Sequence, residues 1–512
     1  MRPCTYRAAI LMAGLCAAAL SLSMPAPVLA EAQAQAQAAV AEGLGGADPF
    51  IPPAASRRGT VVVREQTLPY VAEASETLLR DPQGRARATL SSVSYVVEAD
   101  APRPVTFLFN GGPGGATIAL REGLAPRVTA GAGPRGAFRF VDNPDSLIDA
   151  TDLVFADAPG VGYGRFFGED ASAAYWGVDE DAAAITDFIL AWLRARGREG
   201  APVFLVGESY AGVRVGLVAE RLAAIPAAPR LAGVVLVSPS TVAGRGEAPG
   251  VRTMDAAVLA LPTLAATARH HGRGAYAAMA VEDLADQAWA FAGGPYAQAL
   301  AQGDALPEAR RRETARALSA YTGLSERLIL DNDLKVPAAL FVRELLADQG
   351  LRIGGSDGRA KASRAVTERR SPPYDDPSTS PYTLTYDQTG AVEALFREEI
   401  GYRPVNGYVR LSIDANRAWN WNRAAGVEMM PALFGELMRR DTRLHVTLMT
   451  GYYDLTIPYA RPVQDYLAAD LPSDRFDHRV LVAGHAVFSD PDARAAATDH
   501  LRRFYAKAMR AW

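Results

Sequence analysis

The chain of 512 residues is nearly without cysteine: it holds two, Cys4 and Cys16, both close to its start. A chain with no cysteine beyond that point has no disulfide frame, no thiol nucleophile and no cysteine-ligated metal there. Lysine is almost as scarce, at 335, 361 and 507, so the basic residues are nearly all Arg. That pattern fits a GC-rich genome better than an Arg-dependent function. A charge excess is missing too, since the net charge is −4. This excludes the basic footprint of a nucleic-acid or membrane-surface protein. Nor is there a run long enough to span a bilayer. The apolar stretch from Ala8 to about Leu22 falls short of the ~20 residues needed. With Arg2 and Arg7 before it and Ala26-Pro27-Val28-Leu29-Ala30 after it, it reads as a secretory signal cut after Ala30. Leu15 stands where lipidation of Cys16 requires a small residue. The expectation is therefore a periplasmic or secreted protein without stable membrane insertion.

What is present is a core-forming composition, 49% hydrophobic and 21% charged, enough for one large α/β domain with an insertion or for two domains. Residues 1–30 form the signal, and 31–57, an Ala-Gln repeat followed by Gly, Pro and Ala, read as a disordered leader. Residues 58–240 begin with strand-like alternation (Thr60–Val63, Ala88–Leu90, Val93–Val97) that suits antiparallel edge strands. Buried-type runs then alternate with helical segments: Val105–Phe109, Leu153–Ala156, Val203–Val206 and Val234–Val237. Such alternation predicts a mostly parallel central sheet flanked by helices. Residues 241–400 carry Ala- and Leu-rich helical stretches, a Pro-rich segment near 351–385 and no core-type strand, which predicts a helical cap insertion. In 401–512 the sheet resumes at His445–Met449 and Arg479–Val482, and a last helix ends near Trp512. No internal repeat stands out.

The most informative stretch is Gly207-Glu208-Ser209-Tyr210-Ala211-Gly212, between the strand run 203–206 and a helical run from Val213. Strand, sharp turn with small residues around a Ser, then helix is a nucleophile elbow, and the fold that uses it is the α/β-hydrolase fold. An ordinary βα turn with a capping Ser is the plainer reading, and the rest of the chain argues against it. In that fold the acid and the histidine follow the Ser at the ends of later strands. Strand 444–449 leads to Asp454, and Val480–Ala483 leads to Gly484-His485. Of the six histidines, at 270, 271, 445, 478, 485 and 500, only His485 sits just past a strand end after Gly; the others read as solvated. Asp454 could also be a turn-stabilising residue, but its strand-end position favours catalysis. The loop Asn110-Gly111-Gly112-Pro113-Gly114-Gly115 has no following Lys-[Ser/Thr], so it is no phosphate loop. After an early strand of this fold it supplies an oxyanion-hole N–H.

With these motifs in place the chain resembles the serine carboxypeptidases. The Asn-Gly-Gly-Pro-Gly loop lies at 110–114 and the Gly-Glu-Ser-Tyr-Ala-Gly elbow at 207–212. The segment between them matches as Asn143-Pro144-Asp145-Ser146 and Leu153–Tyr163, and the later loops match at Gly451, Asp454 and Gly484-His485. The resemblance covers about 58–240 and 401–512. It implies Ser209 as nucleophile, His485 as general base and then acid, Asp454 as its orienting partner, and the N–H groups of Gly112 and Tyr210 as oxyanion hole. It implies that Asn110, with the adjoining Gly111, and Glu208 hold the terminal carboxylate of a peptide substrate. Glu122 is the nearest candidate for a further carboxylate-binding Glu, about two residues short of the family spacing. No metal and no cofactor are implied. The chain departs from the family at Gly115, where a Cys is usual, at Leu108, where an aromatic stands, and at Ala486, where a Met follows the histidine. The reading is an exported carboxypeptidase working through an acyl-enzyme. An esterase or acyltransferase on the same scaffold is the alternative, and Glu208 with Asn110 discriminates, because only a site for a carboxylate needs them. A binding protein on a dead scaffold conflicts with the intact Ser, His and Asp. Like charges on Glu208 and the substrate carboxylate predict a raised Glu208 pKa and an acidic optimum.

Overall fold

Strands buried on both faces read as continuous apolar runs, and strands buried on one face alternate. Both kinds occur in the computed structural model, which describes residues 48–99, 103–132, 138–245, 254–367, 376–379 and 387–512. Nine strands form one sheet: β1 (Ala55–Val63), β2 (Gln66–Arg80), β3 (Ala86–Val97), β4 (Val105–Phe109), β5 (Asp152–Asp157), β6 (Val203–Glu208), β7 (Leu231–Val237), β8 (His445–Gly451) and β9 (Phe476–Leu481). Their spatial order is β1-β2-β3-β5-β4-β6-β7-β8-β9. The first three are antiparallel neighbours, and β3 meets β5 antiparallel. From β5 to β9 every pairing is parallel.

Burial follows position. Strands β4 to β8 are buried along their length, whereas β2 alternates and the edge strand β9 is half-exposed. Alternate side chains of one strand enter different cores, because strand side chains point to opposite faces. Phe107, Leu205, Val234 and Leu448 pack with helices α2 (Val178–Ala195), α3 (Ala211–Ala224) and α7 (Met430–Arg440); Leu108, Phe204, Val235 and Met449 pack with α1 (Ile118–Leu124) and α8 (Pro491–Met509). Phe107 meets Phe188 and Trp192 edge-on, and Phe204 stacks on Tyr505 with centroids 4.1 Å apart. The layered architecture is that of an α/β hydrolase.

The inserted region is helical, as the sequence predicts. Helices α4 (Ala256–His270), α5 (Val281–Phe291) and α6 (Glu308–Thr322) join shorter helices at Glu326–Leu330 and Ala338–Glu344 around a separate apolar cluster. Two strands of three residues, Leu351–Ile353 and Lys361–Ser363, form a small hairpin outside the main sheet. The first strand starts at Ala55, inside the stretch assigned to the leader, because Ala55, Ser56 and Arg57 pair with Ala74, Glu73 and Ala72 of β2. The signal at 1–30 and the leader up to 47 lie outside the described residues. Among the described residues no helix is long and apolar enough to cross a membrane.

Candidate active site

Strand β6 delivers Ser209 into the turn before α3 with φ of +62°. That left-handed conformation is costly for a residue with a Cβ and persists only where the surroundings impose it. Here Ser209 N–H donates to Val237 C=O at 2.9 Å, and its C=O accepts from Gly212 N–H at 2.9 Å and Ser240 N–H at 3.0 Å. A Cβ on Gly207 would come within 2.9 Å of Val215 Cγ2, so the small residue lets strand and helix close on each other. The serine hydroxyl makes no hydrogen bond among the described residues.

Strand β4 delivers the glycine loop against this elbow. A Cβ on Gly111 would sit 2.6 Å from Tyr210 N and 2.7 Å from Glu208 C=O, so the two segments touch backbone to backbone. Gly115 N–H closes the loop onto Gly111 C=O at 3.0 Å, while the N–H groups of Gly112 and Tyr210 donate to nothing among the described residues. Two unspent donors flanking a serine can stabilise an anion that develops there. Asn110 is held on every side. Its N–H donates to Thr117 Oγ1 at 3.2 Å and its Nδ2 to Glu208 Oε1 at 2.5 Å, while its Oδ1 accepts from Leu120 N–H at 3.2 Å. Its C=O accepts from Arg214 at 2.8 Å.

Arg214 and Asp181 escaped the sequence reading. They form a buried ion pair behind the elbow at 2.7 Å, with side chains 2% and 1% exposed. Tyr210 Oη also donates to Asp181, at 3.4 Å. The signal was present: an Arg within the apolar run of α3, and an Asp on the inner face of α2, are charges that stay buried only when paired.

Asp454 and His485 come from loops after β8 and β9. Asp454 is fully buried; its Oδ1 accepts from Thr456 N–H at 2.9 Å and Ile457 N–H at 2.8 Å, and its Oδ2 lies 2.7 Å from His485 Nδ1. With the Nδ1 proton facing Asp454, Nε2 is left to accept a proton. The strand ends join both loops to each other and to the end of β7, whose Val237 C=O holds Ser209: Ser238 N–H donates to Met449 C=O at 2.8 Å, and Tyr453 N–H to Ala483 C=O at 3.0 Å. Burial lowers the proton affinity of His485, but the Asp454 charge and hydrogen bond, then Glu208 and Asp376, outweigh it and push its pKa up to about 9.

Glu208 lies within reach of the same charges. Burial pushes its pKa up; the His485 charge opposes this, Asp454 adds to it and the Asn110 hydrogen bond opposes it, leaving about 7. Its Oε2 is buried without a hydrogen-bond partner. A buried polar atom left unpaired costs roughly 1–3 kcal/mol, and a ligand bearing a complementary group removes that cost. Glu122 lies on α1, 3.7 Å from Arg121; its neighbour Gly123 packs on Phe488, just after His485. The structure thus brings Asn110, Gly111, Gly112, Glu208, Ser209 and Tyr210 together, and Asp454 with His485. Glu122 sits on the helix that follows the glycine loop.

The family model described as serine carboxypeptidase matches residues 94–240, which contain the glycine loop, the 143–163 segment and the elbow. Among solved structures, a prohormone-processing carboxypeptidase from Saccharomyces cerevisiae is similar, at 14% identity with a TM-score of 0.50, covering 85% of this chain and 91% of that one. A putative lipase from Sulfolobus solfataricus shares 11% identity with a TM-score of 0.36, covering 89% and 98%. No curated protein matches. The sequence resemblance to serine carboxypeptidases therefore holds over 94–240, and the solved structure shares the fold.

Proposed function

We propose that the protein is an exported serine-type carboxypeptidase, releasing C-terminal residues from peptides through an acyl-enzyme. The observation that carries this reading is the buried Asn110–Glu208 pair beside Ser209, with Glu208 Oε2 unpartnered. An esterase has no use for a buried acid whose pKa is held near neutrality. A substrate carboxylate does, because the neutral acid can donate a hydrogen bond to it.

In this mechanism Ser209 Oγ attacks the carbonyl of the last peptide bond and passes its proton to His485 Nε2. Asp454 holds the imidazole and stabilises the imidazolium. The oxyanion lies between the N–H groups of Gly112 and Tyr210. His485 then protonates the leaving amine, the C–N bond breaks, and the terminal amino acid departs. Water, deprotonated by His485, cleaves the ester and regenerates Ser209. Asn110, with Gly111 beside it, and Glu208 bind the terminal carboxylate, and Glu122 is a further candidate from α1. No metal or cofactor takes part, and peptides with a free carboxylate are the substrates. Export is supported by the N-terminal arginines, apolar run and Ala-x-Ala-like end at Ala30; sequencing the mature N-terminus tests it.

The deciding experiment incubates the purified protein with one blocked dipeptide as free acid and as amide, and follows amino-acid release by mass spectrometry. Release from the acid at much lower substrate concentration supports the reading. Equal turnover of both forms, or turnover of simple esters alone, overturns it in favour of an esterase or acyltransferase.

A further inference from the structure

The small hairpin of the inserted region reaches the acid and histidine loops. Leu455 N–H donates to Gly355 C=O at 3.0 Å, Gly358 N–H to Tyr453 C=O at 2.8 Å, and His485 N–H to Ser356 C=O at 2.6 Å. The turn at 354–360 thus grips the residues on both sides of Asp454 and the backbone of His485 itself. A Cβ on Gly484 would lie 2.6 Å from Asp357 Cβ and from Ser356 C=O, so the contact leaves no room for a side chain. Leu455 buries its side chain in the apolar cluster of the cap helices.

The turn has its own fastenings. Asp376 accepts from Gly355 N–H and Ser356 N–H, both at 2.9 Å, and Ser378 Oγ accepts from Asp357 N–H at 3.1 Å. Arg359 links the turn to the core. Its Nε and one terminal nitrogen donate to Asp357 at 3.0 and 2.7 Å, and the other donates to Asp490 at 2.9 Å and Val482 C=O at 3.2 Å. Its guanidinium carbon lies 5.0 Å from the Tyr453 ring centroid. Asp490 is also the N-cap of α8. An exposed ion pair is worth little, but this guanidinium is only 20% exposed and spans three chain segments in a fork that Lys cannot reproduce.

We infer that Arg359 is a positioning residue: through the 354–360 turn it holds the Asp454 and His485 loops at the separation their hydrogen bond needs. The inference rests on the catalytic roles proposed above for those two residues. Arg359 touches no reacting atom, so its effect is on geometry, where a displacement of about 1 Å can cost on the order of 10²-fold in rate.

The test compares Arg359→Ala and Arg359→Lys with the native enzyme on a peptide acid and on a simple ester, with active sites counted by exhaustive fluorophosphonate labelling. Arg359→Ala is expected to lower kcat per labelled site about 10²-fold on both substrates, with the peptide KM within about twofold, since Asn110 directly follows β4 and Glu208 ends β6, away from the 354–360 turn. The acid limb of kcat should move to lower pH, because Asp454, the chief charge raising the His485 proton affinity, is held less closely, while Glu208 and Asp376 stay in place. Asp357, which packs on Gly484 and loses its guanidinium partner, opposes this shift and should only reduce it. Arg359→Lys should recover part of the rate. Arg310→Ala, which breaks an exposed cap pair with Glu313, should change nothing. Native kcat in Arg359→Ala overturns the inference, and so does a loss that tracks the labelled fraction with an unmoved pH profile. If Arg359→Ala does not fold, Asp490→Asn cuts one arm of the fork; it should lower kcat less and shift the limb the same way, and an unshifted limb overturns the inference. Turnover of the ester but not the peptide acid would sink the substrate assignment while leaving the Arg359 comparison to be read on the ester.

Discussion

On the nucleophile side of the site, the groups that fix Ser209 lie at strand ends, in the loops that directly follow them and on the helices behind the sheet. Val237 and Ser240 hold its backbone, Gly111 abuts Tyr210 and Glu208, and Arg214 ties the glycine loop to Asp181. On the acid–histidine side, the turn at 354–360 supplies bonds to residues 453, 455 and 485. One half is braced by the core and the other also by the insertion. The insertion thus contacts the site's own loops, and on the inference above the geometry of Asp454 and His485 leans on it.

The largest expected effect breaks the nucleophile half alone. Ser209→Ala should lose on the order of 10⁴–10⁶ in kcat and all fluorophosphonate labelling, while urea unfolding changes little. Normal turnover would remove Ser209 from the mechanism.

The next effect probes the brace of that half. Asp181→Ala leaves Arg214 as an uncompensated buried charge and should destabilise the protein by about 3–5 kcal/mol. Arg214→Met should cost less, because burial raises the Asp181 pKa against the opposing pull of Arg214, so the lone acid can take up a proton. Chemical denaturation of both variants decides it; equal losses would mean that the pair acts otherwise.

A smaller effect sharpens the comparison at the shared wall. Glu208 is neutral below its pKa of about 7 and ionised above it, where it repels a substrate carboxylate. Peptide KM should therefore rise as pH rises through 7, by up to about tenfold per unit, while ester KM stays level. Glu208→Gln should flatten the peptide curve. An unchanged slope in that variant would remove Glu208 from carboxylate binding. The smallest effect is none: thiol reagents should leave activity unaltered, since the only cysteines are Cys4 and Cys16, and measurable inactivation would contradict this.

The nucleophile half was legible because its determinants are local. Gly207, Ser209 and Gly212 fall within six residues of chain, and the burial of β4 and β6 shows as largely apolar runs. Asp454 and His485 were legible only through the order of strands, as residues following β8 and β9. The turn at 354–360 was not legible, since Gly354, Gly355 and Gly358 read as loop residues and the partners of Arg359 lie far along the chain at Val482 and Asp490. The buried pair of Asp181 and Arg214 was missed for a related reason. Arg214 stands out only as a charge within the apolar run of α3, and Asp181 as one of several acids at the start of α2, so their pairing shows only once the packing of α2 against α3 is known. The predicted acidic optimum attributed the Glu208 shift to substrate, whereas burial raises its pKa before any substrate binds.

The placement of these pieces along the chain also makes the site divisible. The proposed nucleophile follows β6, whereas the acid and histidine follow β8 and β9, with the helical insertion between them. A single proteolytic cut inside that insertion would therefore leave Ser209 on one fragment and Asp454 with His485 on the other. The two fragments would stay joined only by packing between them, such as Phe204 of β6 stacked on Tyr505 of α8 and β7 paired with β8.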